Sequence, residues 1–487
     1  MAEDVTPSRP GQRDLTQGPI GPTLLAFALP TLGSSILQSL NGSINAIWVG
    51  RFLGEEALAA TSNANMIMFL LTAFVFGFGM AATILIGQAF GRRDVDSARR
   101  VLGTAIGAAV AVSAAIAVAG WIFAPQLLRL LSTPAGAFPL ALDYLRVIFV
   151  AIPGSLVLVM AMMALRGGGD ALTPLWFMIV AVLLDSALNP VFILGLGPVP
   201  RMGIAGSATA TVIANYASLA GMVLYVYWRD LPLRLRGREF AYLRPDPALL
   251  RTIVGKGLPM GLQMIVISGS ALALIGLVNR EGVDTAAAFG VAMQLWTYLQ
   301  MPAMAIGGAV SAMAAQNIGA GRWDRIGAIT RSGIIYNLLI TGVLVAILAA
   351  ADRPALALFL GGDSPALPIA RHIQLLATWS FLLFGITLVI FGTVRANGAV
   401  IGPLVILAIG LIPVRLGFAA GAYPWLGADA LWLSFPVSSL ANVALAIAFY
   451  RHGGWRKGRM GPPPDPALCV EEAQAAAEPG GRLNPSG

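Results

Sequence analysis

Apolar positions gather in twelve blocks, over residues 21–49, 58–88, 101–131, 138–165, 172–197, 203–228, 252–278, 285–316, 327–350, 367–394, 400–422 and 428–450. Each is long enough to supply the roughly 20 residues an α-helix needs to cross about 30 Å of hydrocarbon. The stretches between them hold nearly all of the charge. The pattern predicts an all-α polytopic membrane protein with twelve transmembrane helices, because a spanning helix satisfies its own backbone where no water can. A basic, proline-interrupted connector runs from Arg229 to Pro247, and after Tyr450 a Pro-, Ala- and Glu-rich tail leads to Gly487. The expected divisions are an N-terminal segment over 1–20, a six-helix lobe over 21–230, a linker over 231–250, a second six-helix lobe over 251–452 and a disordered tail over 453–487.

The two lobes repeat one another. Gly54, Glu56, Ala57, Ala59 and Ala60 return 228 residues later as Gly282, Asp284, Thr285, Ala287 and Ala288, and Gln88-Ala89-Phe90-Gly91 returns as Gln316-Asn317-Ile318-Gly319. Leu29-Pro30 is echoed by Leu258-Pro259, and Arg166 with Pro174 by Arg395 with Pro403, at an offset of 229. An even number of spans per half relates the halves by a pseudo-twofold axis along the membrane normal. Two bundles then face a central cleft in which a substrate would sit.

Composition agrees with this pattern: the 487 residues are 57% hydrophobic and 11% charged, with a mean hydropathy of +0.78. Soluble chains carry about 25% charged residues. The net charge of +8 would suggest nucleic acid in a soluble protein, but here it reports topology. With the N-terminus inside, 23 Lys and Arg fall on the cytoplasmic side and six on the other, Arg51, Arg129, Arg201, Arg280, Arg353 and Arg371; Arg146 and Arg415 lie within spans. That asymmetry predicts a multi-pass protein of the bacterial inner membrane with both termini in the cytoplasm. The single cysteine, Cys469, and two separated histidines, His372 and His452, offer no disulfide, metal cluster or acid–base pair, so an enzyme is not expected. A P-loop is absent as well: Gly255-Lys256-Gly257 lacks its spacing.

Charge at membrane depth is costly, which makes it a functional candidate. Asp185 is the one carboxylate deep within a span, and Asn189, four residues on, shares its helix face. Pro190 frees the carbonyl of Ser186, so Asp185, Ser186 and Asn189 form a local polar knot. The first span carries a matching stripe, Ser34, Gln38, Asn41 and Asn45, at spacings of four, three and four. A carboxyl there can gain and lose a cation as access alternates; a static hydrogen-bonding role is the bland alternative. The second half has no equivalent, since the offset positions are Gln263, Ile267, Ser270 and Leu274 for the stripe and Val414 and Phe418 for the acid and amide. Arg415 is a candidate cleft charge, with a structural role favoured.

Several motifs then converge: Trp48-Val49-Gly50-Arg51-Phe52-Leu53-Gly54, Arg166-Gly167-Gly168-Gly169-Asp170 and Gly203-Ile204-Ala205-Gly206-Ser207-Ala208 in the first half, and Gly257-Leu258-Pro259-Met260-Gly261, Val394-Arg395-Ala396-Asn397-Gly398-Ala399 and Trp432-Leu433-Ser434-Phe435-Pro436 in the second. With these the chain resembles the multidrug and toxic compound extrusion (MATE) family, closest to its bacterial DNA-damage-inducible protein F-like branch, over about residues 20–455. The resemblance implies a V-shaped pair of six-helix lobes and export of amphipathic, cationic small molecules by antiport against H⁺, with Na⁺ as the alternative ion and no other cofactor. It also implies a coupling-ion site at Asp185, Asn189 and Asn45, bordered by the polar residues Gln38, Asn41, Ser34 and Ser186. The family usually has an acid where Asn45 stands, and its fifth-helix pair is exchanged here. A monomer in the lipid bilayer is expected. The alternatives are a flippase-like exporter of a lipid-linked intermediate and an uncoupled, non-transporting member.

Overall fold

The computed structural model describes residues 13–53, 55–130, 136, 138–195 and 200–460. Its helices are α1 (Ile20–Leu53), α2 (Glu55–Gly91), α3 (Val95–Leu130), α4 (Phe138–Gly167), α5 (Leu172–Leu194) and α6 (Ile204–Trp228) in the first half. The second half has α7 (Pro247–Val278), α8 (Val283–Gly319), α9 (Ile326–Ala350), α10 (Asp352–Leu360), α11 (Ala366–Ala377), α12 (Ser380–Ala396), α13 (Ile401–Ile409), α14 (Arg415–Gly421), α15 (Tyr423–Leu426) and α16 (Asp429–His452). Helix ends follow local chemistry. The Asp246 carboxylate accepts from the N–H groups of Ala248 and Leu249 with Pro247 in the first turn, and Gly195 closes α5 in the left-handed region at φ 71°.

Among the described residues ten helices are long and apolar enough to cross a membrane, and α11 with α12, bent by 45° at a short break, makes an eleventh candidate. The remaining predicted span is α8, whose 37 residues are mostly packed inside protein; it therefore does not need the apolar surface that lipid demands. Two predicted spans are interrupted. The break before α12 falls where Trp296 Nε1 donates to both Gln374 Oε1 and Thr378 Oγ1, at 3.0 Å each, a polar knot inside an aromatic cluster. The other interruption is a wide π-turn over Gly410–Val414, which absorbs the missing N–H of Pro413.

Three buried clusters define how the halves meet. One cluster holds Met80–Ala89 and Leu158–Leu165 of the first half together with Ile306–Ala315 and Val389–Ala396 of the second, at the end of the bundle that carries both termini. At the opposite end the cores separate. Val49, Leu128, Tyr144, Ile152 and Ile204 form one in the first half, and Leu274, Phe289, Trp296, Phe381 and Trp432 form another in the second. Among the described residues the arms of this V are joined at the terminal-bearing end and along the crossing of α2 with α7, and their cores separate beyond it.

The joint is reciprocal, as the repeat requires. Gln88 Nε2 donates to the Ala396 carbonyl at 2.7 Å, and its counterpart Gln316 donates to the Gly167 carbonyl at 3.0 Å. A Cβ on Gly91 would stand 2.0 Å from the Gln316 carbonyl oxygen, and one on Gly319 would stand 2.1 Å from that of Gln88. Higher up, α2 and α7 cross backbone to backbone at Gly77 and Gly257.

The start of the described chain is drawn into this joint. Leu15 is fully buried; its N–H donates to Gln316 Oε1 and its carbonyl accepts from Asn317 Nδ2, while Arg13 N–H reaches the Gly169 carbonyl. Arg322 and Arg325 hold the carbonyls of Thr16 and Gly18. The linker also packs: Arg99 Nη1 pairs with Glu239 at 2.7 Å, and Gly103 and Gly107 of α3 lie bare against the backbone of Tyr242 and Leu243. Residues 453–460, expected to belong to the disordered tail, are packed instead. A short turn over Gly454–Lys457 buries Trp455, Met460 is buried too, and Asn397 Nδ2 donates to the carbonyls of Trp455 and Arg456. The rest of that predicted tail, 461–487, and residues 1–12 lie outside the described residues.

Candidate functional site

One face of α5 is exposed, with Trp176, Val180 and Leu183 pointing out of the bundle. The opposite face carries Asp185 and Asn189, 2% and 0% exposed, inward against α6 and α1. The knot read from the sequence therefore sits inside the first lobe, away from lipid and enclosed by protein in this form.

Three other helices complete it. Thr211 Oγ1 of α6 donates to Asp185 Oδ1 at 3.1 Å, and Asn189 Nδ2 donates to the same oxygen at 3.4 Å while bonding the Asp185 carbonyl at 2.9 Å. From α1, Asn41 lies against the carboxyl, and Asn45 Oδ1 accepts from Ser207 Oγ at 2.6 Å. Tyr144 of α4 is buried within electrostatic reach of Asp185.

The balance of donors and acceptors is uneven. Among the described residues, buried Asp185 Oδ2, Asn189 Oδ1, Asn41 Oδ1 and Ser186 Oγ have no hydrogen-bond partner. Native interiors pair nearly all such atoms, because each unpaired one costs about 1–3 kcal/mol. Among the described residues, donors reach the carboxyl only from Thr211, Asn189 and Asn41, and no cationic side chain pairs with it.

The other predicted residues sort around this centre. Ser34 is buried and donates to the Pro30 carbonyl at 3.0 Å, so it serves its own helix. Gln38 is exposed. Arg415 lies in the second lobe, its guanidinium 4.4 Å from the centre of the Phe435 ring and Nε donating to Ser438 Oγ at 3.0 Å. The residues offset from the α1 stripe are spent on structure: Ser270 Oγ fills the Leu411 carbonyl beside the π-turn, and Gln263 meets Arg395 and the Val400 carbonyl.

Sequence reasoning did not nominate Ser207, Thr211 or Tyr144. A signal for the first two exists, since Ser207, Thr211, Asn215 and Ser218 repeat the four, four and three spacing of a polar helix stripe. Hydroxyls are a weak signal because they can be satisfied by their own helix. Tyr144 carries no such pattern.

The helix that brings Asn41 and Asn45 to the site is built to bend. Pro30 removes one backbone donor, and Thr31, Ser34 and Ser35 each donate to the carbonyl four residues back, which loosens the ladder on one side.

The sequence profile described as MatE matches residues 30–191 and again 259–420, two matches offset by the 229 residues of the internal repeat. A Bacillus subtilis (strain 168) protein described as "Probable multidrug resistance protein YoeA" is 36% identical over 436 residues, covering 89% of this chain and 94% of the relative. Another from that organism, "Probable multidrug resistance protein YpnP", is 31% identical, with 92% and 98% covered. A solved structure described as the "Outward-facing conformation of a multidrug resistance MATE family transporter of the MOP superfamily" matches with a TM-score of 0.83 at 19% identity, over 91% of this chain and 98% of that one. At that identity the likeness speaks for the fold.

Proposed function

Because this chain belongs to the MatE family of multi-pass membrane transporters, we propose that it exports amphipathic, cationic small molecules by alternating access, driven by a cation returning through the Asp185 site. The observation that carries this reading is the excess of buried acceptors around Asp185. A proton on Asp185 Oδ2 turns one orphaned acceptor into a donor that can be offered to Asn41 or Asn189. It also removes a net charge from a lipid-depth interior, where an uncompensated carboxylate is expensive. We therefore favour H⁺ over Na⁺, the other cation that an all-oxygen set of carboxylate, amide and hydroxyl groups suits.

The ion can drive a cycle only if it binds the two access states with different affinity. Asn41 and Asn45 supply that difference, since α1 carries them and is loosened at Pro30, so a shift of α1 alters the site directly. The substrate enters the space between the separated arms, and Arg415, packed on Phe435, is assigned to holding the second lobe. The excess of Lys and Arg supports a cytoplasmic position for the joined end, and on that reading the described form is open outward. The relatives named as multidrug resistance proteins support the substrate class.

Proteoliposomes loaded with a cationic dye test the proposal. A pH gradient is expected to drive dye movement and a sodium gradient of the same size is not. Transport that follows sodium alone overturns the proton assignment, and none under either gradient overturns the antiport reading. Thr211→Val removes one hydrogen bond from the carboxyl, worth about 1 kcal/mol, and is expected to slow proton-driven transport about fivefold with the fold intact.

A further inference from the structure

The pseudo-twofold repeat breaks at one helix start. In the first half, α5 begins beside Asp170, whose carboxylate accepts from Thr173 N–H at 2.9 Å and from Thr173 Oγ1 at 2.6 Å. In the second half the corresponding helix is α13, and the positions offset by 229 are Ala399 and Gly402. No side chain caps α13, so the N–H groups of its first turn lack the anion that their counterparts possess.

Cations surround the vacancy left in the repeat. A cavity of about 690 Å³ opens there between the start of α7, the Gly398–Gly402 loop and the segment after α16; among the described residues it is lined by Arg251, Thr252, Lys256 and Arg459 and by no acidic side chain. Lys256 Nζ is fixed toward the loop by a 2.9 Å bond to the Gly398 carbonyl. Arg251 and Arg459 are exposed and have no ion pair among the described residues. On the side toward the membrane interior the cavity is continued by exposed apolar side chains, Val254 and Leu258 on α7 and Ile401 and Val405 on α13.

We infer that this cavity binds the phosphate of an anionic phospholipid, its acyl chains lying along Val254, Leu258, Ile401 and Val405. The phosphate takes the place at α13 that the Asp170 carboxylate takes at α5. Basic pockets at the cytoplasmic level of helix bundles suit such headgroups, each Arg contributing about 1 kcal/mol near the surface. The inference needs only that the chain is embedded in a bilayer, and it stands or falls separately from the coupling ion.

Native mass spectrometry of the full-length protein in detergent, titrated with phosphatidylglycerol or phosphatidylcholine, tests it. One tightly retained phosphatidylglycerol per chain is expected, preferred over phosphatidylcholine. Arg251→Gln with Arg459→Gln is expected to weaken retention about thirtyfold. Ala399→Asp, which supplies the missing carboxylate from within the chain, is expected to weaken it as well without lowering thermal stability in lipid-free detergent. Equal retention of both lipids, or retention unchanged in both variants, overturns the site. Millimolar inorganic phosphate distinguishes the source of the anion: no displacement of the lipid supports the headgroup, and full displacement overturns it in favour of a soluble phosphate.

Discussion

Asp185→Asn is expected to reduce gradient-driven export to the level of protein-free vesicles while making the protein more stable. The amide keeps the shape of the side chain and can still accept from Thr211. It also brings a donor to the orphaned oxygens of Asn41 and Asn189, so thermal stability should rise by about 1 kcal/mol. Export fails because an amide carries no exchangeable charge, and a site that is the same in both access states cannot bias them. Export measured in vesicles and melting measured in detergent check the pair of outcomes. Unchanged export removes Asp185 from the mechanism; lost export with lost stability reduces it to a structural carboxyl.

The second large effect is expected from the reciprocal glycines. Gly91→Val and Gly319→Val place carbon about 2 Å from a carbonyl oxygen of the opposite half, and backbone cannot swing aside as a side chain can. Either variant should hold the terminal-bearing ends apart and abolish export, because the state described above cannot form. Spin labels at the exposed positions 92 and 324, on either side of the joint, should report a longer distance in the valine variants than in the parent. An unchanged distance with normal export would show that the joint yields. By comparison, Gln88→Ala deletes one hydrogen bond, about 1 kcal/mol, and Gln316→Ala deletes two, one to the Gly167 carbonyl and one from Leu15 N–H, so each should only shift the balance of states, the second more than the first.

Much of this architecture was legible in the hydrophobic pattern, for a physical reason: lipid forces helices to be long and apolar, so their number and order are written in composition. The repeat was legible too, since Gln88 with Gly91 and Gln316 with Gly319 stand at matching positions. Their reciprocity was not, because it depends on two backbones approaching across the pseudo-axis. At the candidate site, Asp185, Asn189 and the two asparagines of α1 stood out as strongly polar groups in apolar surroundings. Thr211 and Ser207 were hidden by the ability of hydroxyls to bond their own helix, and Tyr144 by its resemblance to any buried aromatic. The break before α12 and the π-turn at Pro413 interrupt apolar stretches without changing their hydropathy, which is why continuous spans were expected there.

Leu15 takes both of its backbone hydrogen bonds from residues made some 300 positions later, Gln316 and Asn317. During synthesis the Leu15 segment must therefore wait, unseated, until α8 has been inserted and brought alongside α2. Its docking is a late step of biogenesis and certifies that both lobes have arrived, so a nascent product truncated before Gln316 would leave this end open to protease whatever the state of its own six helices.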